Sequence, residues 1–185
     1  MDPQFVNLQR KVNQYREVLD NTEAYREVWK ESLCQQIMDQ LNHIIGEVGL
    51  KAEVEIRAEM DNLEAVVLNL GTVRSGMSQR VNDHLQRDLI KQNGALVYQQ
   101  LFNGKVLVLI QYPFIENYGQ PRPPKTIGIY RPEELRDPYF CRHLEELMQE
   151  ITLWEDYDDD EPHQRIGFHL NFGPNANPAA GEEED

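Results

Sequence analysis

The sequence predicts an α+β domain: a mainly antiparallel sheet of about five to six strands, with a long N-terminal helix and a second amphipathic helix near the C-terminus. Three observations support this fold class. An apolar stripe at helical spacing fills the first fifty residues, segments with alternating apolar residues follow, and a second helical stripe comes after Pro132. The length of 185 residues suits one domain. We expect this domain to span residues 1–173, with the sheet and later helices in 52–172 and a disordered acidic tail in 174–185.

The N-terminal stripe predicts a helix over about residues 4–47. Its mean spacing of about 3.6 residues is that of a straight α-helix, whereas a left-handed coiled coil would be nearer 3.5. The positions of this nearly unbroken stripe are Phe5, Leu8, Val12, Tyr15, Leu19, Thr22, Tyr25, Trp29, Leu33, Ile37, Leu41, Ile44 and Val48. The span of roughly 65 Å exceeds the roughly 40 Å diameter of a compact globule of this size. Such a helix either breaks or extends beyond the body and needs a partner.

A break near Asp20 is the alternative to one continuous helix. Asp20 and Glu23 have capping-box spacing, which would divide the stripe into two helices. The stripe keeps its phase across this point, which favours continuity or a shallow kink, and the sequence leaves both possibilities open. Gly46 and Gly49 are suited to ending the helix.

Alternating segments predict the first strands. Val54, Ile56, Ala58 and Met60 alternate with charged residues, so this strand has one solvent-facing side. The turn Asp61-Asn62 leads into a second strand over 63–73. We then expect a short helix capped by Ser78, with an apolar face of Val81, Leu85 and Leu89.

Residues 95–112 predict a central hairpin. The strands Leu96–Phe102 and Lys105–Tyr112 flank Asn103-Gly104, the preferred pair for a type I′ turn. Because the second strand is apolar on both sides, both sheet faces must be covered. We expect the N-terminal helix on one face, and the later helix or a second subunit on the other. A short strand at Thr126–Tyr130, a helix opened by Pro132 and a last strand at Arg165–Phe172 complete the predicted order.

The charge balance argues against several partners. The net charge is -14, and residues 155–185 carry ten acidic groups against Arg165 alone. Phosphate backbones and anionic lipids repel such a surface, so we predict neither nucleic acid nor membrane as a partner. There is no secretory signal pattern, and the two cysteines, Cys34 and Cys141, suit a reducing compartment. The sequence therefore predicts a cytoplasmic protein.

No motif predicts catalysis, a metal site or a cofactor. The acidic run at 156–161 with His163 lacks the glycine and the final glutamate of a calcium-binding loop, so it is interpreted as a solvated linker. The segment Gly71–Gly76 lacks the Lys-Ser/Thr of a phosphate-binding loop. We therefore assign no catalytic residue, and lean against an enzyme without excluding one.

The leading hypothesis is a non-catalytic protein-interaction module. The excess length of the N-terminal helix predicts a homodimer, with an interaction surface formed by Tyr15, Leu19, Tyr25, Trp29 and Leu33. In a variant of this hypothesis the acidic body is an adaptor or chaperone-like carrier for a basic or aggregation-prone protein client. The client would bind at an exposed edge strand and at the loop Asn117–Pro124, which its three prolines make stiff and extended.

The alternative hypothesis is a small-molecule-binding protein or enzyme with a cleft between the sheet and the helix after Pro132. The candidate ligand-binding residues are Arg74, Tyr112, Tyr130, Arg165 and His169. Arginine and tyrosine can bind a carboxylate or phosphate, and histidine can transfer a proton. A roomy polar pocket in the structure would favour this alternative.

Overall fold

The computed structural model describes residues 3–82 and 85–156. Its fold confirms the predicted α+β class. The described residues form a long N-terminal helix, a C-terminal helix and antiparallel strands in two sheets. The strands are β1 (Glu53–Arg57), β2 (Ala65–Asn69), β3 (Thr72–Asn82), β4 (Leu85–Gln92), β5 (Ala95–Gln100), β6 (Val106–Gln111), β7 (Phe114–Ile115) and β8 (Lys125–Tyr130).

The N-terminal helix is continuous through Asp20, which resolves the alternative that the sequence left open. A 3-10 turn (Pro3–Phe5) leads into α1 (Val6–Val28), a π-helical segment (Trp29–Leu33) and α2 (Cys34–Val48). Gly49, with a φ of 67°, ends the helix. In the π-helical segment the backbone N–H of Cys34 donates to the carbonyl of Trp29, five residues earlier.

The π-helical segment has a reason in the sequence. Along the body, the buried positions of the helix recur at every fourth residue: Trp29, Leu33, Ile37, Leu41 and Ile45. In a pure α-helix, residues four apart drift steadily around the axis, since one turn takes 3.6 residues. A π turn takes more residues, so it offsets part of this drift and keeps these side chains directed at the sheet.

The two halves of the helix are different in environment. No residue of α1 is buried, whereas α2 buries Ile37, Leu41 and Ile45. Residues 3–21, which we call the overhang, extend beyond the body by about 28 Å at the α-helical rise. In this part the apolar spacing is 3-4-3-4-3, which is the heptad pattern of a coiled coil. Its positions are Phe5, Leu8, Val12, Tyr15, Leu19 and, at the body, Thr22.

The main sheet has the strand order β1-β2-β5-β6-β8, with every neighbouring pair antiparallel. The helix α2 and the C-terminal helix α3 (Asp137–Glu155) both pack on the same face of this sheet, where Leu41 and Leu147 share one core with Leu96. The expectation that the later helix covers the other face is therefore wrong, whereas the alternative of a second subunit there stays a prediction. The opposite face carries a smaller apolar cluster around Val67 and Val97, and no described helix covers it.

The short helix predicted after Ser78 is also wrong, since this segment is a β-hairpin. The strands β3 and β4 pair over residues 72–92, and β4 continues the smaller sheet to β7. The spacing of Val81, Leu85 and Leu89 misled the prediction, because it fits one face of a helix. In the structure Val81 belongs to β3, whereas Leu85 and Leu89 belong to β4. Gly76, at a φ of 78°, lies where the register of the pair shifts.

The turn between β5 and β6 also differs from the prediction. A type I′ turn needs positive φ at both central residues, but only Gly104 has it, at 74°. The backbone N–H of Gly104 donates to the carbonyl of Leu101, and the N–H of Leu101 donates to the carbonyl of Lys105, both at 2.8 Å. This pattern is a wider turn over 101–105, which places Phe102 at its tip with 73% of its surface exposed.

Two further predictions cannot be compared with the structure. The last strand, Arg165–Phe172, and the acidic tail at 174–185 lie outside the described residues.

Candidate functional site

The overhang presents apolar side chains that no described part of the chain covers. The exposed fractions are 51% for Phe5, 59% for Leu8, 63% for Tyr15 and 48% for Leu19. Exposed apolar residues are normal when they are scattered singly, but a contiguous row on one side of a helix marks an interaction surface. Tyr15 and Leu19, which the sequence predicted for such a surface, lie within this row.

The body covers the same side of the helix from Thr22 onward. The turn over 101–105 lies against Thr22, Tyr25 and Arg26, and the Arg26 guanidinium donates to the carbonyl of Phe102. Tyr25 is half-buried at this contact. The place where the helix leaves the body is therefore defined by one turn.

Two residues predicted for the interaction surface belong to the core instead. Trp29 is 0% exposed and Leu33 is 2% exposed, so neither can contact a partner. The indole N–H of Trp29 donates to the carboxylate of Glu64 at 2.7 Å, which satisfies the polar atom of this buried ring. The apolar stripe thus has two functions along its length: interior packing from Trp29, and an uncovered face before Thr22.

A second candidate site is a cleft between the sheet and α3, in the region that the alternative hypothesis named. Its volume is about 370 Å³, and its walls are Tyr112, Arg122, Pro123, Lys125 and Glu150. The Arg122 guanidinium stacks on the Tyr112 ring, 4.1 Å from the ring centroid. The sequence had indicated a stiff loop here from its prolines, and this loop carries Arg122.

Glu150 organises the polar groups of the cleft. Its carboxylate accepts from the Tyr112 hydroxyl at 2.6 Å and from the Lys125 ammonium at 2.8 Å. Lys125 also pairs with Glu146 at 2.9 Å. The hydrogen bond from Lys125 is the largest cause that lowers the pKa of Glu150, and the hydrogen bond from Tyr112 is the second. The pKa of Tyr112 is raised mainly by desolvation and secondly by its hydrogen bond to Glu150. The cleft therefore holds an ionised carboxylate and a charged lysine.

Tyr130, another predicted ligand-binding residue, lies at the opposite end of α3, next to the buried His143. His143 is 2% exposed. Its Nδ1 is 3.0 Å from the Tyr98 hydroxyl and its Nε2 is 3.2 Å from the Tyr130 hydroxyl. Desolvation lowers the pKa of His143 to about 4, so the ring is neutral at neutral pH. We interpret this cluster as a satisfied core network.

The remaining predicted ligand-binding residues are not brought together. Arg74 lies on β3 and pairs with Asp88 at 3.4 Å, with most of its side chain exposed. Arg165 and His169 lie outside the described residues. Of the five candidates, the described structure places only Tyr112 in the cleft. The sequence analysis missed Arg122, Lys125 and Glu150, because nothing in their spacing shows that a loop, a strand and a helix converge.

Other features of the described residues bear on function. No group of three or more His, Cys, Asp or Glu side chains in this part of the chain could hold a metal ion. Burial, and next the charge of Glu64, raises the pKa of the Cys34 thiol, which disfavours its reactive thiolate form. Within the same residues, no helix combines the length and apolar content that crossing a membrane requires.

Comparisons with known proteins found no match for this chain among protein-family models, curated protein sequences or solved structures.

Proposed function

We propose that this protein is a non-catalytic interaction module that forms a homodimer through its overhang. The observation that carries the proposal is the contrast within one helix. The part against the body completes the core, while residues 3–21 leave an apolar row in solvent. Most of the stability of a helix in a protein comes from packing of its apolar face, which the overhang does not receive from the described part of its own chain. A second copy supplies that packing.

The spacing of the row supports a helical partner. Five successive steps of 3-4-3-4-3 place the apolar side chains on the seam of a coiled coil, and the body-facing part departs from this pattern. The seam needs no other protein to complete it, because an identical helix presents the same row. Self-association is therefore the form of interaction that the described residues support best.

Replacing Tyr15 and Leu19 by glutamate tests this function. Two buried carboxylates on the seam would convert the dimer to a monomer, measured by light scattering coupled to gel filtration at about 10 to 100 µM protein. The matched control is Gln14→Glu with Asn21→Glu. It adds the same charge on the polar side of the overhang and should leave the dimer intact. A wild-type chain that is monomeric at these concentrations would refute the proposal.

An adaptor or chaperone-like role would follow from the charge of such a dimer. Each copy has a net charge of -14, which favours a basic client protein and raises its rate of association. The outer edge of β8 has no paired strand among the described residues, so a client segment could add to the sheet there. Two free thiols, at Cys34 and Cys141, suit a reducing compartment, and we propose the cytoplasm.

A second candidate function is the binding of a small anionic molecule in the cleft. Arg122 favours it, because this guanidinium lies over Tyr112 at the mouth and forms no salt bridge among the described residues, although its charge acts on the nearby Glu150. The test is a thermal-shift screen of carboxylates and phosphates on the wild type and on Arg122→Ala. Stabilisation that disappears in the variant would support this function, and no stabilisation by either class would remove it.

A further inference from the structure

We infer that the two helices of the dimer run antiparallel, with the overhang of each copy ending against the turn over 101–105 of the other. This inference rests on the proposed function and specifies its geometry. It follows from where the body lies relative to the seam.

The body excludes a parallel dimer. From Thr22 onward the seam side of the helix is covered by the chain's own body, beginning with the turn at Gly104 and continuing with the core around Trp29. In a parallel pair the two seams face each other at every level, so both bodies would occupy the space between the helices. In an antiparallel pair each body lies beyond the N-terminal end of the other overhang, and the collision does not arise.

The heptad pattern and the body together limit the register. Phe5 can face Thr22, which is only partly covered, and the numbers of facing residues then add to about 27. A register one heptad further would set Phe5 opposite Trp29, which the body buries completely. This register places Leu8 opposite Leu19 of the partner subunit and Val12 opposite Tyr15 of the partner subunit. Two of the three pairings join a larger with a smaller side chain, and the third joins two leucines, so no pairing sets two aromatic rings against each other.

Phe102 provides an independent observation. It is 73% exposed at the tip of the turn, beside the end of the seam. In the antiparallel register, Phe5 arrives at the same level and can pack against Phe102 of the partner subunit. A seam of about two and a half heptads is short, so two such aromatic contacts, one at each end, extend the apolar interface where it is needed.

Charge favours the same orientation. In a parallel coiled coil, Lys11 and Arg16 would occupy facing g and e positions and would repel each other twice per dimer. In the antiparallel register, Lys11 flanks Val18 of the partner subunit and Arg16 flanks Gln9 of the partner subunit. The bodies, whose described residues are acidic on balance, also lie about 26 Å apart along the axis. This separation is beyond the screening length of about 8 Å at physiological salt.

Disulfide trapping tests the orientation. The background is the full chain with Cys34→Ala and Cys141→Ser, to which Leu8→Cys or Leu19→Cys is added, one of the two carrying a size tag. The antiparallel register places equivalent residues at position 8 about 16 Å apart, and likewise at position 19. Neither variant alone should therefore form a disulfide, because the Cα atoms of a bridge lie within about 7 Å. The equimolar mixture should form the mixed disulfide. Disulfides within each single variant would overturn the inference.

The turn contact has its own test. Phe5→Ala and Phe102→Ala should each weaken dimerisation about tenfold, and the double variant should weaken it by much less than a hundredfold, because both changes remove one contact. If the double variant instead weakens dimerisation by about a hundredfold, the two substitutions act independently and the Phe5–Phe102 contact is refuted. If the chain with Cys34→Ala and Cys141→Ser is monomeric by sedimentation, the proposed dimer itself is refuted. If this chain is a dimer but each single-cysteine variant forms a disulfide with itself, only the antiparallel arrangement is refuted.

Discussion

At the scale of single residues, the buried His143 shows how the core accommodates a titratable group. Two tyrosine hydroxyls satisfy both ring nitrogens, and the side chain of Tyr98 is fully buried beside it. The neutral ring has hydrogen-bond partners at both nitrogens, whereas a protonated ring in the core would have lost its hydration. Because protonation is unfavourable only in the folded state, the stability of the protein depends on pH.

We predict that His143 weakens the fold in mild acid. Its folded pKa of about 4 lies below the ordinary 6.5, so between these values the unfolded chain binds more protons. The stability from the neutral ring is complete above pH 6.5 and is lost as the pH falls toward 4. Between pH 7 and pH 5 the loss should be about 2 kcal/mol in free energy of unfolding, measured by urea denaturation.

The variant His143→Gln should remove most of this pH dependence, because an amide can keep hydrogen bonds to the tyrosines and does not titrate in this range. The matched control is His43→Gln, on the exposed side of α2, which should retain it. If both variants lose stability between pH 7 and pH 5 as the wild type does, His143 is not the responsible group.

At the scale of elements, the junction of the helix with the turn over 101–105 determines where the overhang begins. Gly104 has positive φ and lies close to the helix backbone, so both its conformation and its lack of a side chain are required. A Cβ at this position would lie 2.6 Å from the Cβ of Tyr25 and 3.0 Å from the carbonyl oxygen of Thr22.

We predict that Gly104→Ala destabilises the protein by at least about 2 kcal/mol more than Gly71→Ala. Gly71 is the matched control, because its φ of 77° is similar but an added Cβ would meet nothing within 4 Å. The difference between the two variants therefore isolates the contact between turn and helix. The free energies of unfolding are measured by chemical denaturation at pH 7. Equal values for the two variants would show that the turn and the helix can move apart at little cost in stability, and would contradict the prediction.

The elements also show what the sequence could predict. The long helix followed from its apolar periodicity, and the central β5–β6 pair followed from two apolar runs on either side of Asn103-Gly104. The strand at 125–130 was also predicted. The hairpin at 72–92 did not, since the spacing of Val81, Leu85 and Leu89 fits a helix face, although Val81 lies on β3 and the two leucines lie on β4. The sequence analysis predicted where the cleft lies, between the sheet and the helix after Pro132, but of the residues that line it, it named only Tyr112. The contacts in the cleft join Arg122 in a loop, Lys125 in β8 and Glu150 in α3, and no local pattern records that these approach each other.

At the scale of the whole molecule, the structure combines a self-sufficient body with a projecting helix. The core between one sheet face and two helices is closed by α2 and α3, and it uses nothing from residues 3–21. The two parts can therefore be separated experimentally: the body should account for the stability and the overhang for the association.

We predict that a chain lacking residues 1–20 is a folded monomer. Its free energy of unfolding should lie within about 1 kcal/mol of that of the full-length Tyr15→Glu, Leu19→Glu variant, because no residue of α1 is buried. This variant is the proper reference, since a dimer gains apparent stability by mass action. Circular dichroism during urea denaturation and sedimentation velocity provide the two measurements. A truncated chain that unfolds, or still dimerises, would contradict the separation.

The π-helical segment has a consequence for how such a protein can change over evolution. One residue deleted within Trp29–Leu33 would rotate everything before it by about 100° around the axis, while α2 stays anchored in the core. Thr22, Tyr25 and Arg26 would then turn away from the turn over 101–105, and the contacts that hold the start of the overhang would be lost. In the proposed dimer, the direction in which each body projects from the paired helices therefore depends on the length of this one segment.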